Sequence, residues 1–179
     1  MLIGVTGKAG AGKDTFAKYF IDKGWKRYGF ADPLKRMLEV GFDLDPSVWD
    51  QHEIKEAEIP WLGRSPRYLA QTIGTDWGRK MVHPDVWLLL AEQVLIKEPQ
   101  LIIPDVRFDN EARWIREHGG VVIRVCKTID WTVDNGEHES EKGVSDDYVS
   151  RAVINDGTID DLHKSAARIY ADFSGGKGK

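Results

Sequence analysis

Cysteine is nearly absent from this chain: Cys126 is the only one in 179 residues. That excludes an internal disulfide and a cysteine-built zinc site. Cys126 ends the apolar run VVIRVC, which predicts a buried, inert thiol rather than a nucleophile. The five histidines (His52, His83, His118, His138, His163) show no pairing at metal-ligand spacing. Long apolar runs are missing too. The longest, VWLLLA at 86–91, falls far short of the roughly 20 residues that span a bilayer. No leader is expected either, because a functional-looking loop begins at residue 7. No run of lysines and arginines forms a tail or stripe, and the formal net charge is -4. A nucleic-acid polymer as main partner is thereby disfavoured, since its binders carry a basic footprint. Small anionic ligands need only a local positive cluster and stay open. These absences together predict a reduced, cytoplasmic protein with no membrane partner.

What is present is ordinary in bulk and specific in pattern. With 41% hydrophobic and 30% charged residues, the chain matches soluble globular composition, and its length suits one well-buried core. Short apolar runs alternate with helical periodicity. LIGVT (2–6), KRYGF (26–30), LIIPDV (101–106), VVIRVC (121–126) and AVIND (152–156) predict strands. KDTFAKYFIDK (13–23) carries Phe16, Ala17, Tyr19 and Phe20 at helical spacing, and Gly24 follows as a stop. Asp32-Pro33 opens another helix, with Asp32 as its cap. Ser65-Pro66 opens a helix running towards Gly74, and further helices are expected at 84–97, 111–119 and 158–172. Residues 43–66, with Pro46, Pro60 and Pro66, read as an insertion of short helices. The polar, acidic stretch 128–147 reads as a mobile loop or lid, and the tail FSGGKGK as flexible. The fold class is α/β, a parallel sheet flanked by helices in three layers.

The stretch GKAGAGKDT, residues 7–15, follows the first strand and opens the first helix. Glycines let the backbone curl so that successive N–H groups point inward, and the following helix adds the positive end of its dipole. Gly10, Ala11 and Gly12 are the loop, and Lys13 is the point charge for β- and γ-phosphates. The usual hydroxyl after that lysine is replaced by Asp14, and arrives one place late at Thr15. Asp14 can bind Mg²⁺ directly or through water, or cap the helix. Thr15 can donate to a phosphate oxygen or serve the metal.

Asp105, at the carboxyl end of a predicted strand, stands where open parallel sheets bind ligands. It can hold a metal or its waters, or simply cap the turn after Pro104. Arg107 can clamp a phosphoryl oxygen. Arg64, Arg67 and Arg79 bracket GRSPRYLAQTIGTDWGR and form a local positive cluster in an acidic chain. Gln71 offers an amide for a base edge or an ordinary polar helix face. Trp77 offers a ring for stacking on a base or for the core.

GKAGAGKDT, FADPLK, SPRYLAQTIGTDWGR, DVRFDNEA, HESE and NDGTIDDL, in that order, resemble the bacteriophage deoxynucleoside monophosphate kinases. The resemblance runs from Gly4 to about Leu162. It implies a single P-loop kinase domain over 1–179, with an acceptor-binding helical region at about 32–97 and a lid-like loop at about 127–147. It implies transfer of the γ-phosphoryl group of ATP to a deoxynucleoside monophosphate, with Mg²⁺ as cofactor. Gly10, Gly12, Lys13, Asp14 and Thr15 would then hold the ATP phosphates and metal. Lys35, Arg64, Arg67, Gln71, Trp77 and Arg79 would face the acceptor. Asn155, Asp156 and Gly157 would border the adenine through backbone atoms, or form an ordinary strand-to-helix turn. The lid is poor in arginine, unlike that of adenylate kinases, which leaves Arg107, Lys127 or Arg151 to close over the transferring group. The compartment would be the host cytoplasm if the chain is phage-encoded, and a homodimer is one assembly open to it.

Two rival readings differ in class. Animal-type phosphomevalonate kinases share the lysine-aspartate ending and similar DVR and SE patterns, so another small-molecule kinase is the first rival. The second is a nucleotide-binding regulatory protein. A GTPase would carry an asparagine-lysine-x-aspartate motif, and none occurs.

Overall fold

The computed structural model describes residues 1–127 and 143–175, with side chains through 173. It separates into two compact units, the described parts of Met1–Gly29 and Glu92–Lys179, and Phe30–Ala91.

The first unit is built on five strands, β1 (Leu2–Thr6), β2 (Lys26–Arg27), β3 (Leu101–Ile103), β4 (Val121–Cys126) and β5 (Arg151–Ile154). They lie in the order β2-β3-β1-β4-β5, and every pairing is parallel. Ile3 is opposite Ile102 on one side and Val121 on the other, so β1 is central. All five β1 residues are buried, which is why that strand reads as an unbroken apolar run rather than an alternation. The chain leaves β1 towards the β2–β3 edge and crosses back over it to reach β4. Such a reversal places a crevice at the carboxyl ends of the strands.

Helices α1 (Lys13–Ile21), α6 (Asp109–Glu117) and α7 (Ile159–Gly175) flank the sheet. α1 buries Phe16, Ala17 and Phe20, the face its spacing predicted. Phe20 meets the Trp25 ring at 5.2 Å and the Tyr170 ring at 6.3 Å, both edge-on. Leu162, Ala166 and Ile169 of α7 join the same core as Ile3, Val5 and Ile123. Each large apolar side chain so buried contributes about 1.5–3 kcal/mol relative to exposure.

The second unit holds α2 (Asp32–Phe42), a 3-10 turn at Pro46–Trp49, α3 (His52–Glu56) and α4 (Pro66–Gln71). A π-helical stretch follows at Thr72–Val82, and α5 (Val86–Leu95) begins in this unit. Ser65 caps α4 by accepting from the Tyr68 N–H at 3.2 Å, as its type and position predicted.

Several boundaries differ from the sequence-based expectation, each for a local reason. β2 stops at Arg27 although Tyr28 still donates to the Ile102 carbonyl at 3.1 Å; Gly29 then leaves the ladder. β3 stops at Ile103 because Pro104 has no N–H to continue it. Asp32 lies inside α2 with Ala31 as the cap residue, its carboxylate facing the helix dipole from the first turn. The helix begun at Pro66 continues past Gly74 as a π-helix. There the Trp87 indole N–H takes the Gly74 carbonyl at 2.8 Å, and the His83 N–H reaches five residues back to Gly78. Cys126 is half-buried rather than buried, yet desolvation still raises its thiol pKa against the pull of Arg124.

Candidate functional site

Residues 7–12 connect β1 to α1 at the carboxyl end of the central strand. Gly10 and Gly12 adopt φ of +71° and +100°, backbone that other residues rarely tolerate. Space around Gly10 is open, whereas a Cβ at Gly12 would overlap the Asn155 amide nitrogen. Lys13, the first residue of α1, folds back along the loop and donates to the Gly7 and Lys8 carbonyls, both at 2.8 Å. Asp14 is exposed in the first helical turn. Thr15 is half-buried, and its carbonyl accepts from His163 Nε2 on α7 at 3.1 Å.

Thr15 also lines a cavity of about 560 Å³ with Lys127, Asn155, Asp156, Gly157 and Leu162. The turn between β5 and α7 thus closes on the first turn of α1. The Asn155 N–H donates to the Cys126 carbonyl at 2.7 Å, and its side-chain Nδ2 donates to the Ala11 carbonyl at 2.9 Å. Thr158 and Asp161 complete the turn. The Thr158 hydroxyl donates to the Asp161 carboxylate at 2.7 Å, and the Asp161 N–H returns a bond to that hydroxyl at 3.2 Å. The Thr158 hydroxyl, first, and then the Lys164 ammonium hold the Asp161 carboxyl well below the usual carboxylate range.

Asp105 and Arg107 lie in the loop between β3 and α6, Asp105 half-buried and Arg107 exposed. The Arg107 end of the loop is supported by Glu111, which is only 2% exposed. Its carboxylate accepts from the Arg107 N–H at 2.7 Å and the Phe108 N–H at 3.1 Å. Glu111 occupies the third position of α6, where a carboxylate that reaches back over the helix start satisfies otherwise orphaned donors.

The family model for deoxynucleotide monophosphate kinase matches residues 49–166. A mimivirus protein (Acanthamoeba polyphaga mimivirus) named as a deoxynucleotide monophosphate kinase is 32% identical over 179 aligned residues, covering 91% of this chain and 92% of its own. The chain belongs to the deoxynucleotide monophosphate kinase family. The deoxynucleoside-5′-monophosphate kinase of Escherichia phage T5 is 26% identical, covering 95% of this chain and 94% of its own. Among solved structures, the dephospho-CoA kinase of Campylobacter jejuni superposes with a TM-score of 0.54 at 16% identity, over 98% of both chains. That likeness concerns the fold alone. The chain is a P-loop phosphotransferase that acts on nucleoside monophosphates.

In the second unit of the kinase, the residues expected to face the acceptor are spread over several elements. Lys35 of α2 lies 5.8 Å over the Trp49 ring, whose indole N–H donates to Glu39 at 2.7 Å. Arg64 packs 5.2 Å over Tyr68 and donates to the Gly63 carbonyl. Arg67 pairs with Glu56 at 2.9 Å, and Gln71 stands one turn further along α4. Trp77, 40% exposed, and Arg79 belong to the π-helical stretch.

Arg151 pairs with Asp172 and lies over the Phe173 ring. The lid-like loop falls largely at 128–142, outside the described residues, as does HESE. Its downstream flank is described: Ser145 donates its N–H and hydroxyl to Asp109 at 2.8 and 2.6 Å, and Arg116 donates to the Asp147 carbonyl at 2.7 Å. Among the described residues no helix is long and apolar enough to cross a membrane.

Glu111 and the side chain of Asn155 escaped the sequence reading. The capping signature that would have marked Glu111 starts with serine or threonine, and here that position is Phe108. Asn155 was expected to act through its backbone, and nothing local announces a partner 144 residues away.

Proposed function

We propose that the kinase transfers the γ-phosphoryl group of ATP to the 5′-phosphate of a deoxynucleoside monophosphate. One acceptor phosphate oxygen bonds to the γ-phosphorus as the bond to the β–γ bridging oxygen breaks, giving the deoxynucleoside diphosphate and ADP. The observation that carries this is the glycine loop: left-handed Gly10 and Gly12, with Lys13 opening α1 at the carboxyl end of β1. The acceptor is already anionic, so no strong general base is needed; the work is alignment and charge stabilisation.

In this reading Lys13 leaves the Gly7 and Lys8 carbonyls to meet the β- and γ-phosphates. Gly10, Ala11 and Gly12 present main-chain donors. The cavity beside Thr15, Asn155 and Gly157 takes the base or ribose of ATP. Arg107 clamps the transferring group. Lys35, Arg64, Arg67, Gln71, Trp77 and Arg79 serve the acceptor, which makes Phe30–Ala91 the acceptor unit. Mg²⁺ would be held by Asp14, Thr15 or Asp105. Among the described residues no cluster of three or more ligating side chains forms a protein-only cage. A magnesium ion bound through one or two carboxylates plus substrate phosphates fits that donor set. When bound, it neutralises charge on the phosphates. The partners are small nucleotides, the compartment is the cytoplasm, and light scattering after size exclusion decides between monomer and homodimer.

The test is an acceptor panel with ATP and Mg²⁺. At least one deoxynucleoside monophosphate should be converted to its diphosphate, and Lys13→Ala should abolish the conversion. Turnover of phosphomevalonate with no nucleoside monophosphate accepted would sink the reading.

A further inference from the structure

We propose that Asn155 is a positioning residue for the phosphate loop, its side-chain amide turning the Gly12 N–H towards the bound phosphates. This rests on the reading above that residues 7–13 hold a polyphosphate.

Three features of the structure converge on it. The first is anchorage: Asn155 directly follows β5, and its own N–H donates to the Cys126 carbonyl at the end of β4 at 2.7 Å. That bond ties its backbone to the end of the sheet. The second is the contact itself. Asn155 Nδ2 donates to the Ala11 carbonyl at 2.9 Å, while the Ala11 N–H turns back to the Lys8 carbonyl at 3.2 Å. Ala11, only 3% exposed, is thus held on both sides of its α-carbon. The third is clearance. A side chain at Gly12 would overlap the Asn155 amide nitrogen, so the amide occupies the space that glycine leaves.

Peptide planarity converts this contact into an effect on ligand. In a trans peptide the carbonyl and the following N–H point to opposite sides, and the described chain has no cis bond. A hydrogen bond that holds the Ala11 carbonyl on the Asn155 side therefore directs the Gly12 N–H away from Asn155. Gly12 has no side chain to resist the alternative peptide orientation. Without the amide, the peptide is free to flip and to present a carbonyl where a phosphate requires a donor. Asn155 also lines the cavity beside Thr15, and one of its two amide N–H donors is taken by Ala11. Removing that bond should act on the phosphates more than on the base.

Titration calorimetry of the full chain with tripolyphosphate, adenosine and ATP separates these roles. In N155A, tripolyphosphate and ATP should bind about three- to tenfold more weakly, the loss expected for one hydrogen bond, with adenosine weakened less than tripolyphosphate. N155D, which keeps the volume but sets an acceptor against the Ala11 carbonyl, should lose at least as much and decides the matter if N155A does not melt cooperatively. Loss of adenosine affinity with tripolyphosphate retained would overturn the inference and make Asn155 a base reader. Equal losses for both ligands, with a lowered melting temperature, would reduce Asn155 to a structural residue. Unchanged binding of tripolyphosphate by both variants rejects the inference while the loop reading stands. Wild-type protein that binds neither tripolyphosphate nor ATP rejects the loop reading itself and the inference with it.

Discussion

Glu111 is a carboxyl side chain in a place where such groups are seldom left. It is buried in the first turn of α6 and accepts from two main-chain N–H groups of the loop that bears Arg107. Truncating it leaves those donors without their acceptor, at a cost of about 1–3 kcal/mol per unsatisfied group. Glu111→Ala should therefore lower the urea midpoint clearly, and turnover should fall as the Arg107 backbone loses its hold. Glu111→Gln keeps one acceptor oxygen and should retain more of both. An E111A protein with wild-type midpoint and turnover would show that the carboxylate holds nothing. Asp14 lies at the opposite extreme, exposed in the first turn of α1. That position sets its carboxylate at the positive end of the helix dipole.

Among the elements, α7 shows how a turn is both structure and cavity wall. Its start is fixed by the reciprocal bonds of Thr158 and Asp161, one residue beyond cavity-lining Gly157. The Asp161 carboxyl is held below its ordinary 3.8, so its contribution is present above that pH and is lost as pH falls through the lower folded value. Lys164 is raised above its ordinary 10.5 by Asp161, so its contribution is present below that value and is lost as pH rises past the higher folded one. Asp161→Asn should lower the melting temperature by a steady amount between these limits. The gap to wild type should start to narrow as pH falls below 3.8 and close only once pH has passed the lower folded value; a gap that does not narrow across that range would contradict the assignment. The amphipathic run at 158–172 made this element legible in the sequence. The π-helical stretch was not legible in that way. Its departure from α-geometry is bound up with the Trp87 indole taking the Gly74 carbonyl, a contact made 13 residues along the chain.

At the scale of the molecule, ligand binding and folding are linked. ATP that binds the folded chain alone adds about 2.7 kcal/mol of stability at a hundred times its Kd. For a chain of this size the melting temperature should rise by roughly 5–10 °C. Differential scanning fluorimetry should show that rise in wild type and little of it in Lys13→Ala. An equal rise in both would mean that the nucleotide binds elsewhere.

What the sequence determined by itself was local. A glycine loop between an apolar strand and an amphipathic helix announces phosphate chemistry, because curled backbone and a helix N-terminus are requirements of adjacent residues. Alternating strands and helices announce a parallel sheet for the same kind of reason. The ordered motifs of the family lie along the chain and can be read without coordinates. Only the tertiary structure decided the strand order, the burial of Glu111, and the meeting of Asn155 with Ala11 across 144 residues. Those depend on which strand becomes whose neighbour, and pairing is a property of the packed whole that no short stretch of residues encodes.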